Sequence, residues 1–181
     1  MKILGVSGSP RKDGNSDVAA RTILETLRDL GETEFIRIAD YDIGHCIGCG
    51  RCWESHRCAI EHDDLEQLLD KWREADLLIV SAPVYWLSPP GVMKDFIDRT
   101  FSVANHPVPL FKDKKVALVT VAAENGFELF NELLSGWLRH YGAEIIGDIE
   151  VYAWEKNDLV HDSSQMAKLE EFASETLRKM N

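Results

Sequence analysis

The chain of 181 residues has few cysteines, little positive charge and no long apolar run, and each shortage excludes a class of protein. Lys and Arg number 20 against 31 Asp and Glu, so the formal net charge is −11 at pH 7. Because such a surface repels phosphate groups, we expect neither nucleic acid nor a membrane among its partners. No apolar run approaches the roughly 18 residues that span a bilayer. The N-terminal segment of residues 1–6 is too short for an export signal, so we expect a cytoplasmic protein.

The four cysteines all lie within thirteen residues of one another, between positions 46 and 58. Two residues separate Cys46 from Cys49 and Cys49 from Cys52, and Cys58 follows after five more. A disulfide framework is typical of small secreted chains, which this sequence does not resemble. Repeated two-residue gaps let one tight loop direct three sulfur atoms at three corners of a cubane cluster. Since no second set of cysteines is present, Cys58 would complete the same site.

Zinc is the main alternative for these thiols. Zinc sites more often join two Cys or Cys/His pairs across about 12 residues or more. His45, His56 and His62 nevertheless lie near the cysteines in sequence and keep zinc open. A redox dithiol without metal is a further alternative. The spacing favours an iron–sulfur cluster without excluding the other two.

Short apolar segments alternate with amphipathic ones along the chain, which is typical of a parallel sheet covered by helices on both faces. Strands are predicted at residues 2–7, 33–39, 76–80, 115–121 and 144–152, and helices at residues 16–30, from 63, from 88, at 128–141 and at 164–180. The predicted fold is a three-layer α/β/α sandwich with five parallel strands in the order 2-1-3-4-5. We find no repeat, and expect one domain over residues 1–181 with a cysteine-rich loop at 44–62.

Ligands of such sheets bind at the carboxyl ends of the strands, where the strand order reverses between strands one and three. The loop after the first strand is rich in glycine and hydroxyl groups and leads directly into a helix N-terminus, which favours a phosphate. It matches neither a Walker loop nor the G-x-G-x-x-G pattern. A positive charge at position 11 supports the phosphate interpretation in this acidic chain. The candidate residues are Ser7, Ser9, Pro10, Arg11, Gly14, Asn15 and Ser16.

The loops after the third and fourth strands suit a flat aromatic ligand. After the third strand, prolines hold two aromatic side chains against which a ring could lie, with backbone groups facing its polar edge. The candidate residues there are Pro83, Val84, Tyr85 and Trp86. After the fourth strand, the backbone of Ala123 and Gly126 could face the other side of the ring, although that loop has little chemical specificity.

Three stretches resemble the NADPH-dependent FMN reductase branch of the flavodoxin-like superfamily. They are Gly8-Ser9-Pro10-Arg11 with Gly14-Asn15-Ser16, Pro83-Val84-Tyr85-Trp86, and Met93-Lys94-Asp95-Phe96-Ile97-Asp98-Arg99. The cysteine motif, followed by Asp63-Asp64, resembles the iron–sulfur flavoproteins of that branch. The resemblance implies a flavodoxin-like fold, noncovalent FMN, a [4Fe–4S] cluster on the four cysteines and a homodimer or homotetramer. The aromatic side chains of Tyr152 and Trp154 would suit its interface.

These cofactors would make the protein an oxidoreductase that couples two-electron to one-electron transfer. We nominate no catalytic acid or base, and expect Arg51 and Arg57 to offset the thiolate charge. The electron donor stays open between NAD(P)H and ferredoxin, and the acceptor between a small molecule and a protein. One alternative is a plain NAD(P)H-dependent FMN or quinone reductase whose cysteines bind zinc or no metal. Another is a non-catalytic, redox-sensing flavin-binding module.

Overall fold

The computed structural model describes residues 1–180 and shows strands alternating with helices. In chain order the elements are β1 (Lys2–Ser7), α1 (Asn15–Leu27), β2 (Glu32–Arg37), α2 (Cys52–Ser55), α3 (Leu65–Glu74), β3 (Leu77–Pro83), α4 (Gly91–Arg99), β4 (Lys115–Ala122), α5 (Phe127–His140), β5 (Glu144–Tyr152), α6 (Asp158–His161) and α7 (Ser163–Met180). All strand pairs are parallel and the order is β2-β1-β3-β4-β5. The predicted fold class and strand order are confirmed.

Alternating side chains of the inner strands build two separate cores, one on each face of the sheet. Leu78 and Val80 of β3 pack into one core, and Leu77 and Ile79 pack into the other. Every residue of Leu77–Ala82 is buried, as expected for a central parallel strand. β2, in contrast, exposes its first three residues, as an edge strand does. Among the described residues, no helix combines the length and apolarity that crossing a bilayer requires.

The structure corrects several helix boundaries. The predicted start of a helix at residue 88 was wrong, because Ser88 closes a tight turn with Tyr85 and α4 begins only at Gly91. Phe101 lies beyond the end of α4 and is 44% exposed. The four-residue helices α2 and α6 were not predicted, since so short a helix shows no hydrophobic period. These corrections matter because α2 and α6 both border candidate sites.

Candidate functional site

A cavity of about 240 Å³ lies at the carboxyl ends of β1, β3 and β4, where the strand order reverses. This flavin cavity, as we name it from its lining residues, contains most of the candidates predicted for FMN. Those that line it are Ser9, Arg11, Gly14, Asn15, Ser16, Pro83, Val84, Tyr85 and Ala123. The topology therefore brings the loops after three different strands to one opening, as the sequence predicted.

Four other candidates lie behind or beside this cavity. Ser7 is fully buried and its hydroxyl accepts a hydrogen bond of 3.3 Å from the Ser9 N–H. Gly126 has a φ of 92° and packs so tightly that an added Cβ would lie 2.9 Å from Val84. Pro10 is exposed, and Trp86 is 99% exposed to solvent. A role of these four residues in binding FMN stays a prediction. Ser7 and Gly126 contact lining residues from behind the cavity.

The N-terminus of α1 opens into the flavin cavity without a side-chain cap from any described residue. Its N-cap is Gly14, which lacks a side chain that could accept from the first-turn N–H groups. Within the preceding loop, the Ser9 hydroxyl accepts from the Arg11 N–H at 3.1 Å, and the Gly14 N–H donates to the Arg11 carbonyl at 3.3 Å. Uncapped N–H groups and the helix dipole together attract an anion. This end of the cavity fits the phosphate of FMN.

A buried ion pair holds the phosphate loop from below. Arg37 Nε lies 3.0 Å from Asp17 Oδ2, and both side chains are almost fully buried. The Arg37 Nη2 donates to the carbonyls of Ser9 and Pro10, at 3.4 and 3.3 Å. Asp17 Oδ2 also accepts from the Asp13 N–H at 2.8 Å. This support was not predicted, because a charged residue in a short edge strand gives no local signal that its side chain turns inward.

The second wall of the flavin cavity was also missed. It consists of Val121, Ala122, Ala153, Trp154 and Lys156, so the loop after β5 closes the side opposite β1. Asn15 ties this loop to the phosphate loop, donating to the Glu155 carbonyl at 2.8 Å and accepting from the Leu159 N–H at 3.3 Å. Trp154, whose aromatic side chain we expected to suit an interface, borders the cavity at 67% exposure, and its place in an interface stays a prediction.

All four cysteines line a second cavity, of about 140 Å³, which we call the cysteine cavity. Cys46 and Cys49 are exposed, whereas Cys52 and Cys58 are half-buried, and all four are free thiols. Burial raises the pKa of the Cys52 thiol. Among the described residues, no three Cys, His, Asp or Glu side chains converge on one metal ion. Four sulfur donors around a single cavity fit a [4Fe–4S] cluster, which takes one thiolate at each of four separate irons.

The charged groups around this cavity differ from those predicted. Arg51 and Arg57 are exposed, whereas the cation that lines the cavity is the buried Arg99 of α4. The histidines considered for zinc do not line it in the described part of the chain. The Nδ1 of His45 lies 2.7 Å from Asp95, a hydrogen bond that raises the pKa of His45. The position of Arg99 inside the motif at residues 93–99 was the available signal.

Comparison with known proteins places these cavities in context. Residues 1–158 match the model of the family described as NADPH-dependent FMN reductase. An iron–sulfur flavoprotein of Methanocaldococcus jannaschii is 42% identical over 101 residues, which cover 55% of this chain and 52% of that protein. An iron–sulfur flavoprotein of Methanosarcina thermophila is 33% identical over 150 residues, which cover 82% and 78%. The matched stretch thus spans only about half the length of the first relative.

Solved structures share the fold at low identity. RosB with a bound intermediate has a TM-score of 0.76 at 18% identity, covering 99% of this chain and 79% of that chain. A flavodoxin from the domain Archaea has a TM-score of 0.63 at 15% identity, covering 99% and 98%. At such identities the likeness shows the flavodoxin-like fold alone. Because the family model matches most of its length, the chain belongs to the NADPH-dependent FMN reductase family.

Proposed function

We propose that this chain is a flavin-dependent oxidoreductase that passes electrons between FMN and a [4Fe–4S] cluster. The observation that carries the proposal is that every cysteine of the chain lines one cavity, separate from the flavin cavity. Family membership supports FMN, and the iron–sulfur flavoproteins among the relatives support the cluster. When bound, FMN can accept two electrons as a hydride and release them one at a time, and a cluster transfers electrons one at a time. We also propose one domain over residues 1–181, with the cysteine-rich loop at 44–62.

The residues of the flavin cavity divide the binding of FMN between them. The first turn of α1, with the hydroxyls of Ser9 and Ser16 and the charge of Arg11, holds the phosphate. The loop at residues 83–85 and Ala123 face the ring. Arg37 keeps the phosphate loop in shape through its bonds to two loop carbonyls. No acid or base is assigned, since electron transfer requires none.

Cys46, Cys49, Cys52 and Cys58 would hold the cluster, each as a thiolate. The left-handed glycines Gly48 and Gly50, with φ of 63° and 70°, allow the loop to bend between the first three thiols. Helix α4 connects the two sites, because the loop before it borders the flavin cavity and its last residues border the cysteine cavity.

The test is a UV–visible spectrum with iron and sulfide analysis of protein purified without oxygen. We expect flavin bands over a broad shoulder near roughly 400 nm that dithionite bleaches, with iron and acid-labile sulfide in about equal amounts. Cys49→Ser should lose iron and keep FMN, because the cavities are separate. The control is Asp98→Asn, which alters a cavity residue that is not a thiol and should retain both. Equal loss of iron and FMN from Cys49→Ser would contradict two separate sites.

The plain FMN or quinone reductase remains the second candidate, favoured by the solvent exposure of Cys46 and Cys49. It predicts flavin bands alone, zinc or no metal on the cysteines, and rapid reduction by NAD(P)H. Anaerobic reduction with NAD(P)H and with ferredoxin, measured in parallel, identifies the donor class. We further propose a homodimer or homotetramer, which light scattering of the purified protein checks.

A further inference from the structure

Arg99 closes the loop that carries all four cysteines. Its side chain is 1% exposed, at the last residue of α4. The Arg99 Nη1 donates to the Gly44 carbonyl and to Asp63 Oδ2, both at 2.7 Å. The same Asp63 oxygen accepts from the Gly44 N–H at 3.3 Å. One guanidinium nitrogen therefore ties Gly44, two residues before the cysteine motif, to Asp63, five residues after it.

The other two nitrogens of this guanidinium have no role in that tie. Nε and Nη2 of Arg99 are buried and have no hydrogen-bond partner among the described residues. Arg99 lines the cysteine cavity, and the thiol of Cys58 lies close enough to act on its charge. An unsatisfied buried donor costs about 1–3 kcal/mol, and more when it carries charge. Such a cost within a cavity of thiols indicates an acceptor that binds there.

The charge of Arg99 is secure without that acceptor. Burial disfavours the charged guanidinium, but the hydrogen bond that Arg99 donates to Asp63 and the neighbouring Cys58 together raise the pKa of Arg99. An arginine does not lose its proton in proteins. Asp63 is already shared among Arg99, Gly44 and Leu65. The cavity thus presents a permanent positive charge with two guanidinium nitrogens, Nε and Nη2, that lack hydrogen-bond partners among the described residues.

Resting on the proposed function, we infer that Arg99 is the positioning residue of the cysteine centre, donating through Nε–H and Nη2–H to the sulfur of Cys58 and of the bound cluster. Hydrogen bonds to cluster sulfur and a nearby buried cation both favour the reduced, more negative state and raise the reduction potential. Arg51 and Arg57, which are exposed, act through screened water and contribute less.

The experiment compares wild-type protein, purified without oxygen and carrying FMN, with three variants. Arg99→Gln removes the charge, Arg99→Lys keeps the charge but removes the planar fork, and Arg57→Gln is the control on an exposed arginine of the same loop. The measurements are the rate of iron release to a chelator, the reduction potential of the cluster, the FMN content and the unfolding temperature.

For Arg99→Gln we expect iron release about tenfold faster or more, and a lower potential. Arg99→Lys should also release iron faster, with a potential between those of Arg99→Gln and wild type. Arg57→Gln should match wild type in both. Unchanged iron release and potential in the folded Arg99 variants would overturn the inference. If Arg99→Gln does not fold, Arg99→Lys decides by the same criteria.

The two proposals fail in distinguishable ways. A wild-type protein with FMN but without iron and sulfide would overturn the proposed function, and this inference with it. A wild type with the cluster and Arg99 variants that retain it normally would overturn this inference alone. Arg99 would then be a structural ion pair that supports the loop without acting on the cluster.

Discussion

The two cavities of this protein are built in opposite ways. The flavin cavity lies between the ends of three hydrogen-bonded strands and the first turn of a thirteen-residue helix, α1. The cysteine cavity lies in an irregular loop whose regular structure is the four-residue helix α2. Buried contacts hold the first on several sides, whereas the second depends on the tie between Arg99 and Asp63.

This difference teaches where each site obtains its shape. The sheet fixes the flavin cavity before any cofactor binds, because the parallel register sets the relative positions of the strand ends. The cysteine cavity exposes two thiols and, within residues 1–180, leaves Nε and Nη2 of Arg99 without hydrogen-bond partners, so the chain's own contacts determine its shape less completely. Coupling of folding to ligand binding is common where thiolates hold a metal centre.

The largest effect should follow from breaking the buried ion pair beneath the flavin cavity. Arg37→Met leaves Asp17 buried without its partner and removes two bonds to the phosphate loop. We expect a loss of about 3–5 kcal/mol in the free energy of unfolding, measured in urea, and much weaker FMN binding. Arg28→Met, which removes an exposed ion pair with Glu25, should change the free energy of unfolding by less than about 0.5 kcal/mol. Equal losses would show that Arg37 is no special support.

Breaking the corresponding tie of the cysteine loop should act more locally. Asp63→Asn weakens the bond to Arg99, with an expected cost of about 1.5–3 kcal/mol. Burial raises the pKa of Asp63, but the bonds from Arg99, Leu65 and Gly44 outweigh it and lower the pKa overall. A carboxyl group whose pKa is lower in the folded state stabilises the folded protein fully at pH values above its unfolded pKa of about 3.9. That stabilisation is lost as the pH falls through the pKa of the folded state.

Acid should therefore release the cysteine loop. In wild-type protein, hydrogen exchange at residues 44–62 should accelerate as the pH falls below about 4, after correction for intrinsic rates. In Asp63→Asn the same residues should exchange rapidly at every pH, while residues of β3 stay protected. If residues 44–62 of Asp63→Asn were as protected from hydrogen exchange as those of the wild type, the bond between Asp63 and Arg99 would not be what holds the loop.

Close packing at the phosphate loop gives the next effect. A Cβ added at Gly8 would lie 2.3 Å from the sulfur of Met93 and 2.9 Å from the Cβ of Ala82. Met93 can adjust but the strand residue cannot, so Gly8→Ala should cost about 1–2 kcal/mol, measured by thermal unfolding. Gly91→Ala, where nothing lies within 4 Å, should cost nothing or stabilise α4. Equal costs at both positions would indicate a loosely packed flavin cavity.

The sequence predicted the flavin side better than the cysteine side, for a physical reason. Alternation of apolar segments identified the five strands, and the rule of carboxyl ends then placed Ser9, Ser16 and Tyr85 at one opening. Cysteine spacing indicated four candidate ligands, but the loop has no periodicity from which its neighbours could be predicted. Arg99 lies 41 residues beyond Cys58, and only the tertiary fold brings them together.

Side-chain contacts between residues far apart in the sequence could not be predicted from the sequence either. Arg37 ends a strand that reads as an exposed edge, yet its side chain turns under the phosphate loop to reach Asp17. Trp154 and Lys156 reach the flavin cavity through the bonds of Asn15 to the loop after β5, more than 100 residues along the chain. Local patterns predict elements and strand ends, whereas such long-range side-chain bonds require coordinates.

The smallest effect concerns the turn at the rim of the flavin cavity. The backbone of this turn departs from low-energy geometry. Trp86 and Leu87 both have positive φ, 49° and 64°, in a two-residue turn that favours Asn-Gly. The double variant Trp86→Asn, Leu87→Gly should gain about 1 kcal/mol of stability in urea unfolding, since the strain is relieved. Trp86→Ala is the matched control, because it removes the exposed ring and keeps the strain.

If Trp86 contributes to FMN binding, both variants should weaken FMN binding equally, while only the double variant gains stability. A double variant no more stable than Trp86→Ala would mean that this turn carries no strain, and that the flavin cavity is relaxed throughout.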